Sequence, residues 1–152
     1  MALRDVDRRA VGIAALLAAA ISFVHVSTST GTITAATTNT LVMAVGIAAV
    51  PAGVVVGVWS GSYDRHLIEG GFAAAGGTAI GILGWSVVKA ALLDGVPIAH
   101  RLDVIFLVVA LEGPVFAVVA PFLFLVGGYT AARVADWTDQ SIDDQLTIGL
   151  FR

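Results

Sequence analysis

Four long apolar runs alternate with short polar stretches along this chain, at positions 10–26, 41–59, 70–93 and 104–129. A helix that crosses a hydrocarbon core of roughly 30 Å needs about 20 mainly apolar residues at 1.5 Å each. The pattern therefore predicts an all-α fold, an integral membrane four-helix bundle over residues 1–130, followed by an acidic tail over 131–152. The first run is the shortest, and Arg4, Arg8 and Arg9 before it with Ala35 and Ala36 after it also fit a signal peptide. Asp5 and Asp7 among those arginines, and the long polar stretch before any Ala-type cleavage site, favour a span.

Composition strengthens the membrane reading. Of 152 residues 58% are apolar and 12% charged, against roughly 45–50% and about 25% in soluble domains, and the mean hydropathy is +0.94. The net charge of -3 and the lack of a basic cluster point to no nucleic-acid partner. Without cysteine, disulfides, thiolate metal sites and thiol catalysis are all excluded. Lys and Arg stay preferentially on the cytoplasmic side of short loops. Arg4, Arg8, Arg9, Arg65, Arg133 and Arg152 on one side outweigh Lys89 and Arg101 on the other, which predicts a cell-membrane, multi-pass protein with both termini cytoplasmic. Trp59 and Tyr129 then fall at the inner interface, where aromatic belts belong.

The spans hold an internal echo. Pro51, Val56, Gly57, Trp59, Ser60 and Gly61 are matched 70 positions later by Pro121, Val126, Gly127, Tyr129, Thr130 and Ala131. At an offset of 69, Ala10-Val11-Gly12-Ile13 is echoed by Ala79-Ile80-Gly81-Ile82. The reading is a tandem duplication of a two-helix hairpin, its halves related by an axis along the membrane normal.

In lipid, helices associate through close contact at small residues. Gly53, Gly57 and Gly61 form one ladder, and Gly77 and Gly81 another, on consecutive spans. The expected arrangement is an antiparallel hairpin in which the two ladders face each other, with contact between copies as the competing use. Pro51, Pro114 and Pro121 lie inside spans and each predicts a kink.

Glu112 is the acid placed deepest, about 12 Å from the outer end of the fourth run at 1.5 Å per residue. An acid at a helix centre costs on the order of 3 kcal/mol, which the Val, Leu, Ile and Phe of that span outweigh at roughly 0.3–0.6 each. It must still face a partner or water. Lys89 and His25 share the outer half with it, so the three define a candidate intramembrane polar site, with Glu112 as ion ligand or proton carrier. The competing readings are a snorkelling Lys89, an interfacial His25 and a protonated Glu112 bonded to a carbonyl that proline released.

Catalytic signatures are missing. His25, His66 and His100 are far apart and have no metal-binding spacing, no GxSxG occurs, and the glycine pairs at 70–77 lack the Lys and hydroxyl of a phosphate loop. No metal, cofactor or enzymatic activity is expected. In the tail, Asp136, Asp139, Asp143 and Asp144 accompany Ile142, Leu146 and Leu150, and Ser141 with Asp144 makes a capping box for a short amphipathic helix.

The glycine-punctuated stretches 53–61 and 70–84, and Val126-Gly127-Gly128-Tyr129, resemble small Gly/Ala-rich four-span membrane proteins of haloarchaea grouped in domain-of-unknown-function families. The scarcity of Lys and Glu has the same flavour. The resemblance implies a haloarchaeal membrane protein and transfers no functional residues. The reading is a non-enzymatic membrane protein, a structural or accessory subunit with the lipid bilayer, a second copy or another membrane subunit as partner. The alternative is a small oligomeric ion or proton-coupled solute carrier using Glu112.

Overall fold

The computed structural model describes residues 6–28, 47–60, 65–92, 95 and 97–150, with the backbone alone at 112 and 140–150. Every regular element among them is a helix: α1 (Arg8–Thr28), α2 (Ala49–Trp59), α3 (His66–Ala91) and α4 (Ile98–Leu150). Positions 29–46, Gly61 and Leu93 lie outside the described residues, so most of the polar stretch after the first run, the start of the second run and the last step of the first glycine ladder do too.

Local chemistry sets the ends. Asp7 caps α1, its Oδ1 accepting the N–H groups of Arg9 at 3.0 Å and Ala10 at 3.2 Å. At the other end α1 runs two residues into the expected loop, because Ser27 Oγ and Thr28 Oγ1 donate to the carbonyls of Phe23 at 2.7 Å and Val24 at 3.1 Å. Pro51 sits in the first turn of α2, where its missing N–H has no helical acceptor to lose, so the kink expected there does not arise in the described helix. α3 begins at His66, four residues before the apolar run, and draws Glu69 out of the expected loop into its first turn.

The largest departure from the expected pattern is α4, one unbroken helix of 53 residues, about 80 Å long at 1.5 Å per residue. It contains Pro114 and Pro121 and absorbs the acidic tail, with no break at Ser141. From Ala131 to Asp139 the sequence offers no glycine or proline to stop it, and its first extra turns are packed: Ala131 and Ala135 are buried.

Glycine contacts give the helix directions. A Cβ on Gly77 would meet Ala15 and Ala18, and one on Gly81 would meet Ala19 and Ser22, so α1 and α3 run parallel. Gly53 lies against Gly127, Thr130 and Ala131, and Gly57 against Ala131 and Val134, so α2 and α4 also run parallel. Gly70 meets Gly127 while Gly71 meets Phe124, which sets α3 antiparallel to α4. The two glycine ladders therefore do not face each other as the hairpin reading expects. The α2 ladder is turned to α4, which presents its own small stripe of Gly127 and Ala131. The α3 stripe meets α4 over its first turns and α1 beyond them.

Small residues fill the centre. Ala14, Ala18, Ala49, Ala52, Val56, Ala73, Ala74, Leu123 and Ala131 form the buried core, while Leu16, Phe72, Phe106, Phe122 and Leu125 are exposed. This inversion of the usual size order is what lipid asks for. Burying large side chains gains nothing against acyl chains, whereas small ones let backbones approach.

Candidate functional site

Where three helix ends converge, one carboxylate joins them. Glu69, in the first turn of α3, has no exposed surface. Its Oε1 accepts the backbone N–H of Asp7 at 2.7 Å, and its Oε2 accepts the hydroxyl of Ser60. Asp7 is the cap of α1, and Ser60 is the cap of α2, whose own N–H donates to Val56 O at 2.9 Å.

The arrangement is a capping box assembled across the fold. In the local version, a Glu three residues into a helix reaches back to the N–H of the capping residue. α1 has Ala10 at that position, and Glu69 supplies the carboxylate from another helix. An acid in the first turn of α3, bonded to the N-terminus of α1, also lies near the positive ends of two helix dipoles.

Glycine makes the enclosure. A Cβ on Gly70 would lie 2.5 Å from Gly127 O, and one on Gly128 2.2 Å from Leu67 O. The first turn of α3 thus lies flush on α4, and Glu69 in that turn is fully buried.

The residues singled out by sequence fall elsewhere. His25 is half-buried in the last turn of α1, and Lys89 is exposed in the last turn of α3. Glu112 lies on α4, one residue before Gly113 in the stretch that packs beside Ile82 and Ser86; its side chain is outside the described residues. His66 opens α3, and His100, near the start of α4, sits 3.2 Å from Asp103 Oδ2. Among the described residues no group of three His, Asp or Glu side chains is placed to hold a metal.

Sequence reasoning passed over Glu69, Asp7 and Ser60. The signal available was slight: Glu69 is an acid followed at once by two glycines and an apolar run, so its own helix had to start near it and pack closely.

α1, α3 and the Gly113–Asp139 part of α4 are each long and apolar enough to cross a membrane, and they define the chain as a membrane protein by class. No protein-family model matches the chain, and no curated protein or solved structure matches it at a significant level.

Proposed function

We propose that the chain is a four-span integral membrane protein of the cell membrane, with both termini cytoplasmic, that acts without enzymatic chemistry as a structural or accessory subunit. The observation that carries this reading is the close helix contact at the small residues described. Gly53, Gly57, Gly70, Gly77, Gly81 and Gly127 each lie so near a neighbouring helix that a Cβ would come within 2.6 Å of a main-chain oxygen or a methyl group. At these contacts the helices leave no room between them for a solvated ion.

The alternating helix directions support four crossings, with α2 as the C-terminal part of the second. They also suit a duplicated hairpin, since the paired elements run parallel. Within the echoed motif Gly57 and Gly127 are both buried, and Trp59 and Tyr129 are 60% and 63% exposed. The halves diverge after it, because α2 stops at Trp59 and α4 continues.

Flux into proteoliposomes tests the reading. The wild-type chain is expected to pass neither protons nor alkali cations above the level of empty vesicles. A flux that Glu112→Gln abolishes while the variant still inserts would overturn it in favour of a carrier.

A further inference from the structure

We infer that the cleft between α3 and α4, near the C-terminal end of α3, is a binding site for an anionic phospholipid, with an acyl segment in the cleft and the phosphate at Lys89. The inference rests on the membrane reading above.

The cleft measures about 120 Å³. Ile82, Ser86 and Val108 form its buried floor, Phe116 a wall, and the exposed Leu83 and Val109 its rim. Its single hydroxyl is already used, Ser86 Oγ donating to Ile82 O at 2.9 Å, so the lining offers hydrocarbon alone. An apolar space of this size takes up a small hydrocarbon rather than water. Gly113 helps to create it: a Cβ there would find nothing within 4 Å.

The exposed Leu83 and Val109 leave the cleft open to the surroundings of the α3–α4 pair, which in the membrane reading are acyl chains, and bases stand toward one end of it. Lys89 stands three residues beyond Ser86, less than one turn, and is exposed. Arg101 Nη1 donates to Ala91 O at 2.7 Å, which brings a guanidinium to the same end of α3. Two acids stand on the facing part of α4: Asp103, beside His100, and Glu112, one residue before the cleft-lining Gly113. Lys89 and Arg101 are also the two bases that oppose the positive-inside pattern, and both stand at this one corner. A hydrocarbon slot with a cation at its headgroup end suits a lipid bearing a phosphodiester charge. A helix of a second copy, about 10 Å across, is too wide to enter.

Native mass spectrometry of the purified full chain, titrated with phosphatidylglycerol or phosphatidylcholine of matched chains, tests the inference. Wild type should retain phosphatidylglycerol preferentially. Lys89→Ala should weaken that binding about fivefold, as expected for one base at a lipid surface, and leave phosphatidylcholine unchanged. Gly113→Leu, which fills the cleft, should weaken both. Gly12→Leu, which also meets open space but away from the cleft, should weaken neither. Equal retention of the two lipids, an inert Lys89→Ala, or a Gly113→Leu variant whose effect is loss of a dimer would overturn the site. Carbonate extraction of membranes separates the two levels: a chain released as soluble protein fails the membrane reading, and a chain kept in the pellet without lipid preference fails this inference alone.

Discussion

The Glu69 carboxylate and the main-chain N–H of Asp7, 62 residues apart in sequence, meet at 2.7 Å. Through that contact, and the one from Ser60 to the other carboxylate oxygen, the start of α1, the end of α2 and the start of α3 share a single side chain. Each helix end carries main-chain groups that its own helix cannot satisfy. Here one buried acid serves a main-chain N–H at the start of α1 and the side-chain hydroxyl of the residue that ends α2.

Removing that acid should loosen the corner more than swapping its chemistry. Glu69→Ala removes the acceptor that the part-buried Asp7 N–H and Ser60 hydroxyl share and should cost about 1–3 kcal/mol. Glu69→Gln keeps a carbonyl oxygen for Asp7 and an amide that can donate to Ser60 Oγ, so it should lose clearly less. Thermal unfolding in detergent gives the order, and limited trypsin digestion at Arg8 and Arg9 reports release of the α1 start. Equal melting of wild type and Glu69→Ala would refute the corner.

Adjacent glycines on α3 should respond in opposite ways. A Cβ on Gly77 would lie 2.4 Å from Ala15 O, whereas one on Gly76 meets nothing within 4 Å. Gly77→Ala should therefore destabilise by about 2–3 kcal/mol through overpacking against a backbone that cannot yield. Gly76→Ala should be neutral or gain up to about 1 kcal/mol from helix propensity. Matched losses at both sites, measured by unfolding in detergent, would show that α1 and α3 are not in main-chain contact.

Two hydroxyls are buried without a partner among the described residues, Ser22 Oγ and Thr78 Oγ1. Thr78→Val keeps the shape and removes the unsatisfied group, so it should raise stability by about 1 kcal/mol, and Ser22→Ala should be neutral or better. Ser86→Ala, in contrast, deletes a formed bond to Ile82 O and should not stabilise. A drop in melting temperature for Thr78→Val would mean that its hydroxyl has a partner after all.

Sidedness can be read cleanly because the chain has no cysteine. Asp136→Cys and His100→Cys place single thiols at exposed sites far apart along the long α4. In right-side-out vesicles an impermeant maleimide should label the His100→Cys variant and reach Asp136→Cys only after permeabilisation. Labelling of both without permeabilisation would contradict the proposed orientation.

How far the sequence reaches differs from residue to residue. Helices and their apolar stretches were legible, because a run of Ala, Val, Leu and Gly long enough to cross a bilayer has few other stable forms once every backbone group must be satisfied within the segment. The importance of Gly53, Gly57, Gly77 and Gly81 as small positions was legible for a similar reason. What each one packs against was not: a GxxxG face states that a backbone comes close, and any helix with a matching stripe can supply it. Here α4 supplies it to α2, and α1 to much of α3.

Hydropathy and composition alone determined that this chain is helical and belongs in lipid, because transfer free energy adds up residue by residue along a local window. Tertiary structure alone decided that Glu69 is enclosed. That enclosure depends on Asp7, Ser60, Gly127 and Gly128 arriving from three other parts of the chain, and hydrogen bonds and close contacts between distant segments leave no periodic trace in the sequence.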